Sequence, residues 1–251
     1  MELGFNFFMY VLVGFAAQLI DGALGMAYGV SCTSFLLSIG IPTAQASASV
    51  HSAEVVTTLF SGISHYKLGN VDKKLFFSLV LPGVLGGITG AYLLTHIHGA
   101  MLKPFVSAYL LVMGIRILVK AFRKTNTEKP IHENPLRLLG LLGGIFDAIG
   151  GGGWGPIVTS TLVANGSEAR KTIGTVNAAE FFVTLAQVIT FSVFITISTW
   201  KLILGLMLGG VIASPLAASI CKKIDPKRLM IVVGTFIILL SIRTITLSIS
   251  F

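Results

Sequence analysis

The chain has 251 residues, 54% of them hydrophobic and only 11% charged, with a mean hydropathy of +0.88; soluble domains carry roughly 25% charged residues, so a soluble fold is excluded and a polytopic membrane protein is expected. The net charge of +8 sits mostly in short connections, with no basic stripe interleaved with aromatics. It therefore reads as a positive-inside bias, and no nucleic-acid partner is expected.

The N-terminus, MELGFNFF, has no basic n-region, so no cleaved signal peptide is expected. Residues 5–20 are apolar, Asp21–Gly29 is glycine-rich, and residues 30–39 are apolar again before Gly40-Ile41-Pro42. At 1.5 Å per residue the second apolar arm is roughly 15 Å long, half the hydrocarbon core. The later stretch IFDAIGGGGWGPIVTS repeats this pattern: four glycines, Gly150–Gly153, stop one helix, and Pro156 suits the first turn of another. Phe5–Ile39 and Leu136–Ala164 are therefore read as re-entrant helical hairpins or broken helices with tips near the membrane centre. Irregular backbone at that depth is tolerated only where it is buried or lines a cavity, and in transporters it marks the substrate site.

Three segments long enough to cross follow each hairpin: 44–66, 74–95 and 103–122, then 171–194, 201–220 and 229–248. Residues 1–122 form a first membrane repeat, 123–135 a polar cytoplasmic linker in which His132 is solvated, and 136–251 a second repeat. Cys32 and Cys221 are too far apart in sequence to define a disulfide framework or a zinc site and read as small packing residues.

The two halves are a duplication. With Asp21 placed on Asp147 and no gap to Ser61 on Gln187, twelve of 41 positions are identical, where composition gives roughly three or four. The matches include Gly25/Gly151, Gly29/Gly155, Thr33/Thr159, Ser34/Ser160 and Ala53-Glu54/Ala179-Glu180; Tyr28 falls on Trp154 and, one inserted residue later, Arg116 on Arg243. If each hairpin returns to its own side, each repeat crosses three times and the second is upside down relative to the first. The loop charge agrees. With both termini outside, the connections 67–73, 121–137, 165–171 and 221–228 are cytoplasmic and hold nearly all the basic residues, with Lys74 and Lys120 at their edges, whereas the outer connections hold almost only Lys103 and Lys201. The expected fold is thus an all-α polytopic membrane protein of two inverted repeats, each a hairpin plus three transmembrane helices, in the cell membrane.

The segment after each hairpin carries a polar stripe on one helix face: Ser47, His51, Glu54, Thr58, Ser61 and His65 in the first half, Asn177, Glu180, Thr184 and Gln187 in the second. A polar stripe is too costly to face lipid, so it faces the protein interior or a water-filled path. A carboxylate at the same place in each half, Glu54 and Glu180, is read as functional. His51 and Glu54 have metal-ligand spacing, but no other histidine lies in a core segment, and no metal site is assigned. No Ser-His-Asp or Cys-His pattern supports an enzyme. Gly150–Gly155 contains a G-x-G-x-x-G match without a preceding strand, so it is not a dinucleotide motif. Its free N–H groups beside a helix N-terminus, with those of Gly22–Gly29 opposite, offer an anion site. Asp21 and Asp147 sit beside that site and either cap the glycine-loop N–H groups or titrate. Arg116 and Arg243, inside the last crossing of each half, either snorkel or pair with a buried carboxylate.

These residues carry a resemblance. LIDGALGMAYGV with ASASVHSAE, and DAIGGGGWGPIVTSTLVANG with GTVNAAEFF, resemble the TauE/SafE sulfite exporter family over nearly the whole chain. The resemblance implies transport of a small sulfur-containing anion, such as sulfite, thiosulfate or an organosulfonate, across the cytoplasmic membrane. Combined with the residue pattern, it suggests a substrate site walled by Gly25, Met26, Tyr28, Gly151, Gly153 and Trp154. His51 and Asn177 are expected to donate to the anion, and Glu54 and Glu180 to orient donors or carry a coupling proton. Val30 stands where the second hairpin has Pro156, so the two hairpins are not equivalent. No cofactor is expected and no ATP-binding loop is present, so a coupling ion (proton or sodium), the membrane potential or a partner supplies the energy. The alternatives are an anion channel, or a metal or cation transporter using His51, Glu54 and Glu180.

Overall fold

A computed structural model describes residues 2–97, 99–122, 133–165, 167–220 and 226–249. The linker residues 123–132 with His132, and Cys221, Lys222 and Lys223, lie outside the described residues. The chain is helical throughout the rest: α1 (Glu2–Leu24), α2 (Tyr28–Ser38), α3 (Thr43–Lys67), α4 (Lys73–His96), α5 (Gly99–Lys120), α6 (Glu133–Gly150), a π-helical turn (Gly155–Thr159) running into α7 (Ser160–Ala164), α8 (Ala169–Phe194), α9 (Trp200–Ile220) and α10 (Pro226–Ile249). By length and composition four of these, over Lys73–His96, Met101–Lys120, Arg170–Phe194 and Met230–Leu247, suit a membrane crossing. The α3 helix is as long but carries the polar stripe, which lowers its hydropathy.

Both breaks reverse the chain. The Tyr28 hydroxyl bonds the Leu206 carbonyl at 3.1 Å, and the same Leu206 backbone abuts Gly14, ten residues before the break. In the second hairpin a Cβ on Gly143 of α6 would lie 2.6 Å from Val158. Each short arm therefore doubles back on its long one. Gly25 (φ 63°) and Gly151 (φ 65°) make the same left-handed turn, a conformation other residues adopt only at a cost.

The halves interlock. The long arm α1 packs on α9, and α6 packs on α4; α3 packs on α8, and α5 on α10. In repeat terms the first two contacts are equivalent, and the last two join a helix to its own counterpart. Small residues permit the closeness: Gly86 and Gly90 of α4 sit against Leu141 and Ile145 of α6, and Gly209 of α9 against Val11 and Phe15 of α1. The α3 and α8 helices run antiparallel. Gly62 abuts Ala178, the start of α3 meets the connection after α8 through Ser49 Oγ and Thr199 Oγ1 at 2.6 Å, and Asp72 N–H, past the end of α3, donates to Thr175 Oγ1 at 2.8 Å. The α5–α10 pair is likewise antiparallel, Gly114 lying against Ile238 and Gly234 against Leu118.

Candidate functional site

The two breaks meet in the core. Gly29, opening α2, touches Gly151 and Gly152, while Gly155 touches Gly25 and Met26. Thr33 Oγ1 donates to the Gly151 carbonyl, tying the first short arm to the second break. Tyr28 and Trp154, the aligned aromatics, are both fully buried. The Trp154 indole donates to the Val176 carbonyl at 3.1 Å.

Asp147, the last acidic residue of α6, is 1% exposed and caps the second break. Its Oδ1 accepts from the Gly153 N–H at 2.6 Å and the Trp154 N–H at 2.9 Å. Its Oδ2 accepts from Gln187 Nε2 at 2.9 Å and lies 3.2 Å from His51 Nε2. Capping was one of two roles open to this residue, and it means that two backbone donors expected to serve an anion are held by the protein's own carboxylate. Asp21, the counterpart, accepts a single long bond from the Tyr28 N–H at 3.4 Å and is partly exposed.

His51 is completely buried. Its Nδ1 lies 2.8 Å from the Ser47 carbonyl, an acceptor only, so this hydrogen-bond network assigns a proton to Nδ1. Its Nε2 then faces two carboxylates, Asp147 Oδ2 at 3.2 Å and Glu54 Oε2 at 4.0 Å. Only Asp147 is within hydrogen-bond reach of Nε2; Glu54 stands just outside it. Glu54 is 4% exposed, and its Oε2 has no hydrogen-bond partner. Glu180 joins Asp21, Glu54 and Gly29 around a crevice between the breaks of about 10 Å³, room for at most one water. In this conformation the crevice is too small for an oxyanion. Four carboxyl groups converge here with one imidazole.

The structure brings Gly25, Met26, Tyr28, Gly151, Gly153 and Trp154 together at the meeting of the breaks, with Asp21, Glu54, Glu180, His51 and Asp147 around them. Asn177 is buried on α8, where its amide donates to the Ile173 carbonyl at 3.0 Å. The stripe on α3 faces inward from Ser47 to Thr58, whereas Ser61 and His65 are partly exposed. Among the described residues neither Arg116 nor Arg243 forms an ion pair with a carboxylate. Each anchors the other repeat's short arm: Arg116 Nη2 donates to Thr161 Oγ1 at 2.7 Å, and Arg243 Nη1 to the Ser38 carbonyl at 2.6 Å. Ser47, whose hydroxyl donates to the Ala148 carbonyl at 2.6 Å, and Thr33 are additional hairpin clasps; Ser47 was visible in the stripe, and Thr33 as a repeat identity. Larger, mostly apolar grooves of about 570 and 720 Å³ lie on the flanks of the α3–α8 pair, away from these carboxylates.

The profile of the family described as "Sulfite exporter TauE/SafE" matches residues 10–244. The chain is also 43% identical over 245 residues to the "Probable membrane transporter protein YtnM" of Bacillus subtilis (strain 168), covering 94% of this chain and 82% of that protein. No solved structure matches the chain. With the match spanning both hairpins and all the helices between them, the chain belongs to the TauE/SafE sulfite exporter family.

Proposed function

We propose that this protein is a secondary transporter that moves a small sulfur-containing anion, such as sulfite, thiosulfate or an organosulfonate, across the cell membrane by alternating access coupled to a proton. The observation that carries this reading is the meeting of two hairpin breaks over a buried carboxylate–imidazole cluster, closed to about one water. Binding sites of this kind, at broken helices between repeats, are a recurring transporter design. The family's name points to the anion, and the relative's name to membrane transport. A closed centre favours a carrier over an open channel.

The repeats are inverted in this reading, and both termini face outside. The antiparallel packing of α3 on α8 and of α5 on α10 supports it, since these helices are each other's counterparts. So does the contact of the 68–72 connection with the start of α8 through Asp72 and Thr175. Single cysteines at Lys67 and Lys171, in a background lacking Cys32 and Cys221, are expected to be shielded together from an impermeant thiol reagent in intact cells, while one at Thr199 is labelled. Labelling of only one of the first two would mean that the repeats are parallel.

Glu54 and Glu180, with Asp21, are assigned to the coupling proton, and His51 and Asp147 to the network that shares it. Gly25, Met26, Tyr28, Gly151, Gly153 and Trp154 form the wall past which the anion moves, and Asn177 is a donor at its edge. The direct test is flux of radiolabelled sulfite, thiosulfate and ethanesulfonate into proteoliposomes. Saturable uptake of at least one, poorly competed by a sugar phosphate, is expected. Absence of uptake for all three would overturn the substrate class, and uptake that never saturates would favour a channel.

A further inference from the structure

The crevice between the breaks is lined by carboxyl groups and by no lysine or arginine. Two cations lie beside it. Arg116 and Lys120 are one turn apart on α5, so they share a face, and both are partly buried. That face looks onto the second short arm and the first break: Arg116 reaches Thr161 Oγ1 at 2.7 Å, while Lys120 Nζ lies 3.5 Å from Ser160 Oγ and 3.7 Å from Met26 Sδ. Ser160 Oγ is itself 3.5 Å from Met26 Sδ, so Lys120, Ser160 and Met26 meet beside the first break, with Arg116 and Thr161 next to them.

Both cations are under-used. An ammonium offers three donors and a guanidinium five. Among the described residues Lys120 has a long contact to a hydroxyl and another to a thioether, a weak acceptor, and Arg116 has one good bond. Neither forms an ion pair with a carboxylate among the described residues, and the charged neighbour that Lys120 feels is Arg116, of its own sign. Two like charges one turn apart and partly out of water repel each other, and no carboxylate among the described residues pairs with them.

The repeat sharpens the point. Arg243, the counterpart of Arg116, points to the Ser38 carbonyl at 2.6 Å, and the position equivalent to Lys120 is Leu247. The second cation therefore exists on one side only, next to the loosely tied first break, and anchoring a short arm does not require it.

We propose that Lys120 and Arg116, with the hydroxyls of Ser160 and Thr161, form the binding site that takes the transported oxyanion, a sulfite, thiosulfate or sulfonate group bridging the ammonium and the guanidinium beside Met26. This rests on the transporter reading and supplies the positive charge that the centre lacks. Three oxygens on one sulfur match this set: a planar fork, a point charge and two hydroxyls.

The test uses the whole protein in proteoliposomes with sulfite, thiosulfate and ethanesulfonate as probes. Lys120→Met keeps the length and removes the charge. It is expected to raise the half-saturation concentration of the transported probe roughly 10- to 150-fold, the loss of one hydrogen bond to a charged ligand, with the maximal rate retained. Lys120→Arg restores most of the affinity, and Leu247→Met at the equivalent position changes nothing. Calorimetric titration of the same probe into nanodisc-embedded protein reads the same loss independently of turnover. A wild type that transports, with Lys120→Met at wild-type half-saturation, would overturn this site while leaving the transporter reading standing. A wild type that moves and binds none of the probes would overturn both.

Discussion

At the first break Asp21 holds one N–H, that of Tyr28, at 3.4 Å; at the second, Asp147 holds two, those of Gly153 and Trp154, at 2.6 and 2.9 Å, and adds Gln187 and His51. The turn itself is shared, with Gly25 and Gly151 at φ 63° and 65°. The side chains that meet the carboxylate differ. Gln187 has Ser61 as its counterpart, too short for the same reach, and His51 has Asn177, whose amide goes to its own helix. The backbone also diverges one residue on: Gly152 is at φ 142°, whereas in the first break it is Ala27 that takes a positive φ, 102°. The two turns thus open alike and then differ, the second locked by its carboxylate and the first loosely held. A carrier needs a part that stays and a part that moves, and the second break is the better candidate for the fixed one.

The largest expected effect separates the two aspartates. Asp147→Ala strips a buried carboxylate from two backbone N–H groups, a glutamine and a histidine. Breaking a buried charge pair of this kind costs about 3–5 kcal/mol. Asp21→Ala removes one long bond from a partly exposed group and costs about 0.5–1.5 kcal/mol. Unfolding of the purified variants in detergent measures both. Equal losses would mean that the two breaks are equally locked.

The glycine turns come next. A Cβ on Gly25 would meet the Ile173 side chain at 2.7 Å, and one on Gly151 would meet Thr33. At left-handed φ the backbone strain alone is about 1–3 kcal/mol. Gly25→Leu and Gly151→Leu are each expected to reach the membrane and to lose flux. Normal transport by both would make the tips packing devices only.

Arg116→Met and Arg243→Met sharpen the comparison from the opposite direction, because each removes one charged clasp on the other repeat's short arm, at 2.7 and 2.6 Å. Each is expected to lose about 1.5–3 kcal/mol of stability. The Arg116 variant alone is also expected to weaken anion affinity, since only that arginine has a lysine beside it. The smallest effect is at Ala27, the one non-glycine at positive φ among the described residues. Ala27→Gly relieves strain at some entropic cost and is expected to stabilise by about 1 kcal/mol. A loss there would mean that the methyl group packs better than its backbone suffers.

Much of this arrangement was legible in the chain. The glycine runs at 25 and 150–153 mark both breaks, and the expected segments 44–66 and 74–95 correspond to Thr43–Lys67 and Lys73–His96, because hydropathy and helix-stopping residues act locally. Glu54, His51 and Gln187 were visible as a stripe, since helical spacing places them on one face. The partners of Asp147 were not, because His51 and Gln187 come from helices 96 and 40 residues away in sequence. Lys120 was counted as loop charge at the end of its helix. Only packing brings it to Met26, 94 residues distant, and no periodicity encodes that approach. The arginines illustrate the same limit: their repeat equivalence could be read from the alignment, but a carbonyl and a hydroxyl as partners could not.

The central claim is that a proton shared at the meeting of the breaks drives an anion through them. Uptake of the transported sulfur anion into proteoliposomes, measured with and without an imposed pH gradient for wild type and Glu54→Gln, tests it directly. Gradient-driven accumulation by wild type is predicted, with Glu54→Gln still exchanging anion for anion but indifferent to the gradient. Equal response to the gradient in both proteins would contradict the assignment of the proton to Glu54, and wild-type uptake that ignores the gradient would contradict proton coupling itself.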